Sequence, residues 1–68
     1  MKVEFVKDKN GNLEVRADDR VVGWLEDAGV WMWLPDRRLD DINFPDRTFG
    51  RDFDVATRFI TEQVQRLG

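Results

Sequence analysis

Apolar and polar residues alternate along the early part of the chain and recur at helical spacing near its end. Residues 1–7 set Val3 and Phe5 on one side and Glu4 on the other, as a half-buried strand requires. Lys9-Asn10-Gly11 predicts a turn. A two-residue Asn-Gly turn would place Val15 opposite Val6 and part it from Phe5. A three-residue loop with Gly11 left-handed instead pairs Asp8 with Asn12. Val3, Phe5, Leu13, Val15 and Ala17 then share a face, so this register is expected.

Residues 13–17 form the second strand, with Glu14 and Arg16 turned outward. Asp18-Asp19 follows as a tight turn, because Asp tolerates positive φ better than most residues. The third strand is expected over residues 20–26 and the fourth over 30–34, joined by Asp27-Ala28-Gly29 with Gly29 left-handed. Pro35 is expected to end regular pairing. Extending these registers puts Val22, Trp24, Val30, Met32 and Leu34 on the first face. Val6, Val21, Leu25, Trp31 and Trp33 go to the other, with Trp33 opposite Gly23.

Residues 35–51 read as a long connection in which four Arg and four Asp cancel. Leu39, Ile42, Phe44 and Phe49 make it too apolar for a free linker, so it is expected to lie on the domain. Residues 52–67 predict a helix capped by Gly50 or Asp52. Phe53, Ala56, Ile60, Val64 and Leu67 fall within an arc of about 80° and form the docking stripe. Arg58, Glu62 and Arg66 line the solvent side, while Val55 and Phe59 lie off the stripe. The expected fold is α+β: a four-stranded antiparallel β-meander with one C-terminal helix packed on one face. The 68 residues make a single domain, divided into a meander (1–34), a long loop (35–51) and a helix (52–67).

Composition narrows the chemistry. The chain has no Cys and no His, which removes disulfides, thiolate or His/Cys zinc sites, and Ser-His-Asp or Cys-His catalysis. Ser and Tyr are also missing, so Thr48, Thr57 and Thr61 are its hydroxyl side chains. A net charge of −3 gives no broad basic footprint for nucleic acid and is too small for a strongly acidic DNA mimic. No apolar run reaches the roughly 20 residues that span a bilayer, and the N-terminus lacks the apolar core of a secretion signal. A soluble, cytoplasmic protein without membrane contact is expected.

The residues Gly23-Trp24-Leu25-Glu26, Trp31 and Trp33, followed by Phe53, Ala56, Phe59 and Ile60, form a Trp-rich hairpin and a helix motif. In this order the chain resembles small uncharacterised proteins of actinobacteria and their phages. The resemblance implies a phage or mobile-element origin, and with it a host-cell cytoplasm, but no shared activity.

Asp36, Asp40, Asp41 and Asp46 could offer oxygens to a divalent cation, yet their spacing fits no calcium loop. Arg37, Arg38 and Arg47 lie among them, which favours ion pairs. General acid–base work needs a cleft that raises one carboxyl pKa, and a domain this small rarely encloses one. No catalytic, cofactor or metal site is therefore expected. A sheet backed by one helix also resembles AP2-type DNA-binding domains, which present Arg and Lys on the free face. Here Arg16 is accompanied by Glu4 and Glu14.

One helix covers one face of a sheet. On the registers above, the uncovered face carries Val6, Val21, Leu25, Trp31 and Trp33, rimmed by Arg16, Arg37 and Arg38. Two outcomes stay open: the apolar residues of the long loop fold back over it, or it remains a binding patch of the Trp and Arg type that interfaces favour. The second defines the expected partner-binding set: Val21, Leu25, Trp31, Trp33, Arg37 and Arg38. A non-enzymatic protein that binds a host or phage protein, or a second copy of itself, is the expectation. Its roles would be inhibition, anti-defence or assembly. A sheet-type nucleic-acid-binding accessory protein is the alternative.

Overall fold

A computed structural model describes residues 2–36 and 46–66. Five antiparallel strands follow one another across a single sheet: β1 (Val3–Lys7), β2 (Leu13–Ala17), β3 (Arg20–Asp27), β4 (Trp31–Pro35) and β5 (Arg47–Thr48). The helix α1 (Phe53–Gln65) ends the described chain. The α+β meander with a C-terminal helix is as expected, but it has five strands where the alternation predicts four. The fifth comes from inside the expected long loop. Met32 pairs with Thr48 and Trp33 with Arg47. Just beyond, the Phe49 N–H donates to the Trp31 carbonyl at 2.8 Å and the Trp31 N–H to the Gly50 carbonyl at 2.7 Å. A strand of two residues is too short to show alternation, so its sequence carries no signal.

The first hairpin adopts the register that parity favours. Phe5 pairs with Val15 and Lys7 with Leu13, and the Asp8 N–H reaches the Asn12 carbonyl at 2.8 Å. Gly11 sits at φ +84°, and the Asp8 carboxylate accepts from the Asn10 and Asn12 N–H groups at 2.8 and 3.1 Å. Asp18 and Asp19, at φ 50° and 69°, make the tight turn between β2 and β3.

Beyond Val22 the sequence-based faces are inverted. Ala17 pairs with Arg20 and Arg16 with Val21, but Val15 then pairs with Gly23. Two residues, Val21 and Val22, therefore stand against Arg16, and the extra one forms a β-bulge. Strand side chains alternate with a period of two, so one inserted residue turns every later side chain to the opposite face. Leu25, Trp31 and Trp33 move to the helix side, while Trp24, Met32 and Leu34 leave it. The β3–β4 turn also lies one residue later than expected, at Ala28-Gly29-Val30, with Asp27 paired to Trp31 and Gly29 at φ +84°. That slip amounts to two positions in the pairing and changes no faces. Pairing also runs past the expected stop: Pro35 faces Gly23, and the Asp36 N–H donates to the Val22 carbonyl at 2.9 Å.

Gly23 leaves the room that an indole fills on the helix side. A Cβ added there would overlap the Trp33 ring and come within 2.6 Å of the Leu34 carbonyl oxygen. Trp33 thus covers Gly23 as foreseen, although its direct partner in the ladder is Leu25. Val15, Val22, Leu25 and Trp33 from the sheet meet Ala56, Ile60 and Val64 from α1, all buried. Each large side chain removed from water in this way contributes about 1.5–3 kcal/mol. Val3, Phe5, Leu13, Trp31 and Phe49 pack around this core while staying half-buried.

Asp52 caps α1, its carboxylate accepting from the Val55 N–H at 3.1 Å. The buried stripe is Ala56, Ile60 and Val64. Phe53 remains 40% exposed, but its ring lies 5.0 Å from that of Trp31. Leu67, expected at the end of the stripe, lies outside the described residues.

Candidate protein-binding surface

The bulge decides which side chains face away from α1. Along one row across the sheet lie Val6, Glu14, Trp24 and Leu34, paired strand to strand. A second row holds Glu4, Arg16 and Val21, and a third Glu26, Met32 and Thr48. All are half-buried except Thr48, which is exposed. Most of the apolar members lie on β3 and β4 and most of the charged ones on β1 and β2, Val6 of β1 and Glu26 of β3 apart.

The charges are partly tied to each other. The Arg16 guanidinium donates through Nη2 and Nε to Glu14 Oε2, at 2.6 and 3.2 Å. That hydrogen bond, then the charge of Glu14 and the fields of Glu4 and Asp19, raise the Arg16 pKa above its ordinary value. Arg16 is accordingly a fixed cation at any working pH. Lys2 Nζ lies 3.2 Å from Glu4 Oε1 in an exposed pair. Among the described residues, three carboxylates (Glu4, Glu14 and Glu26) outnumber the two cations, Arg16 and Lys2, on this face.

The expected partner-binding residues are not brought together. Leu25 and Trp33 are 0% exposed beneath α1, so neither can anchor a partner in this structure. Trp31 is half-buried on the same side, against Phe53. Val21 does lie on the face turned away from α1, next to Arg16, while Leu39, Ile42 and Phe44, expected to lie on the domain, fall outside the described residues. Arg37 and Arg38 lie outside the described residues, as do Asp40 and Asp41. The residues missed were Trp24, Met32 and Leu34. Their clue was Gly23 inside a strand, directly after two adjacent valines, a pattern that accompanies bulges.

A second aromatic group lies along the flank of α1. The Arg47 guanidinium stacks 4.2 Å from the Phe59 ring centroid and 5.2 Å from that of Phe49, and the two rings are 5.4 Å apart. These contacts fasten β5 to the helix. Val55, one turn before Phe59, is 48% exposed.

Shallow cavities also open among the described residues. One of about 300 Å³ runs along α1 between Asp54, Thr57, Arg58, Thr61 and Glu62. Another, about 170 Å³, lies between the β3–β4 turn and Arg51. Among the described residues no group of three or more carboxylates is placed to hold a metal ion, and no helix is long and apolar enough to cross a membrane. Compared with known proteins, the chain matches no family, no curated protein and no solved structure.

Proposed function

We propose that this protein is a small non-enzymatic module that binds another protein through the sheet face turned away from α1. The observation that carries this reading is the one-sided placement of the helix. Trp24, Met32, Leu34, Val6 and Val21 hold an apolar patch on the other face, and no other described element packs over it. Trp24 is its natural anchor, since large aromatics at the centre of a patch carry most of an interface's energy. Glu4, Glu14 and Glu26 border the patch and select a partner segment with Lys or Arg beside its apolar residues. The same carboxylates disfavour a phosphate backbone, so the nucleic-acid alternative takes second place.

Fluorine NMR of protein labelled with fluorotryptophan tests the surface. A soluble paramagnetic probe should broaden the Trp24 resonance strongly and leave Trp33 sharp. Equal protection of the two would remove the binding face and the reading with it. For the partner class, Trp24→Ala should abolish retention of a discrete protein from host lysate while leaving the chain folded, its melting temperature lowered by about 4–8 °C. Salt-sensitive retention on DNA or RNA would favour the alternative instead.

A further inference from the structure

The outer edge of β1 carries a second surface, independent of the face described above. β1 is the first strand of the sheet and pairs on one side with β2. Its ladder is bounded by the Asp18 N–H on the Lys2 carbonyl, at 2.9 Å, and the Asp8 N–H on the Asn12 carbonyl, at 2.8 Å. Antiparallel pairs alternate between bonded and non-bonded, so Lys2, Glu4, Val6 and Asp8 turn their backbone groups toward β2. Val3, Phe5 and Lys7 turn theirs outward. The strand has no proline and no bulge to blunt this edge. The core-side residues at the edge are also incompletely covered: Val3 and Phe5 are half-buried, whereas Val15, their neighbour on β2, is fully buried.

Charge decides which partner strand fits. For two copies meeting antiparallel, three registers bring the outward groups together and keep most of the strand paired. Centring on Glu4 sets Glu4 against Glu4. Centring on Val6 sets Glu4 against Asp8. Both oppose like charges, which destabilises a cross-strand pair. Centring on Phe5 sets Lys2 against Asp8, Glu4 against Val6, Val3 against Lys7, and Phe5 against itself. This register opposes no like charges, adds one opposite-charge pair at each end, and pairs all five residues of β1.

We infer that β1 is a self-association edge, joining two copies antiparallel about Phe5 into one continuous sheet. About six backbone hydrogen bonds form across the join. The two Phe5 rings extend the core from copy to copy, and the aliphatic stem of each Lys7 lies over Val3 of the second copy. The two-fold axis runs through the sheet between the Phe5 residues, so both helices lie on one side and both acidic faces on the other.

The test uses the full chain, whose lack of cysteine makes any introduced thiol unique. In the inferred register Glu4 faces Val6 of the second copy in a non-bonded pair, the close spacing at which a disulfide forms without strain. Mild oxidation of Glu4→Cys protein mixed with Val6→Cys protein should therefore give mixed dimers in clear excess over either homodimer. Sedimentation should show a monomer–dimer equilibrium for the parent chain. Lys7→Pro, which removes an outward N–H that β2 does not use, should be monomeric with an unchanged melting temperature. Lys2→Glu, which keeps the strand intact but opposes Asp8 with a like charge, should weaken the dimer severalfold. A parent chain that stays monomeric to millimolar concentration would overturn the inference. So would dimers of Lys7→Pro and Lys2→Glu as tight as the parent, or cross-links without preference for the mixed pair. Failure here leaves Trp24 and its face untouched, because that patch lies on the sheet and not at its edge.

Discussion

Trp33 and Trp24 stand on neighbouring strands and do opposite things. Trp33 is 0% exposed, fills the space over Gly23 and sits on the side that α1 covers. Trp24 is half-buried on the other side, between Glu14 and Leu34. Neither ring chose its side by hydrophobicity, which is the same for both. The side was set by the bulge at Val21-Val22 and by a glycine that leaves room for one indole. An aromatic residue in a small sheet is therefore core or surface according to strand parity, and parity depends on every irregularity upstream.

The sharpest way to break this comparison is to delete the two rings separately. Trp33→Ala should cost about 3–5 kcal/mol, enough to unfold most of a marginal domain. Trp24→Ala should cost about 1 kcal/mol, since its ring already meets solvent on one side. Equal losses in urea melts would mean that the two faces are equally buried. Next comes Ile60→Ala, which opens a cavity directly beneath α1 and should cost about 3 kcal/mol. An unchanged thermal midpoint would show that the helix does not cover the Trp33 side. Gly23→Ala probes the same side from the backbone. Its methyl group would overlap the Trp33 ring, and a loss of about 2–3 kcal/mol is expected from overpacking. Wild-type stability in this variant would mean the indole lies elsewhere. The smallest effect is Asp52→Ala, which removes the cap on the Val55 N–H and should cost about 1 kcal/mol. Helical circular dichroism should fall with it. If neither stability nor helicity changes, α1 starts at another residue.

Features set by local chemistry were legible in the sequence. The Gly11 loop, the Asp18-Asp19 turn, the Asp52 cap and the Ala56/Ile60/Val64 stripe each follow from a few adjacent residues and a fixed period. The β1–β2 register followed as well, because loop length and parity agree there. What escaped was non-local. The bulge turns Gly23 and the Trp33 indole above it to the helix side, and it lies in how β3 pairs with β2, which no window along β3 contains. β5 escaped because Arg47 and Thr48 become a strand only through pairing with β4. The candidate surface was accordingly half legible. That one sheet face would lack a helix followed from counting helices, and Val6 and Val21 were placed on it. Leu25, Trp31 and Trp33 were assigned to that face by a parity the bulge reverses.

The bulge also limits how the length of this chain can vary over evolution. Losing either Val21 or Val22 would leave Ala17 with Arg20 and Val15 with Gly23, only converting the irregular stretch into a plain ladder. The same loss farther along β3 would exchange the two sides of everything that follows, carrying Leu25 and Trp33 into solvent and Glu26 inward. Related chains should therefore accept a one-residue deletion at this point and reject it at the next few positions. A gap in that place, in a future set of relatives, would mark the bulge more clearly than any matched residue.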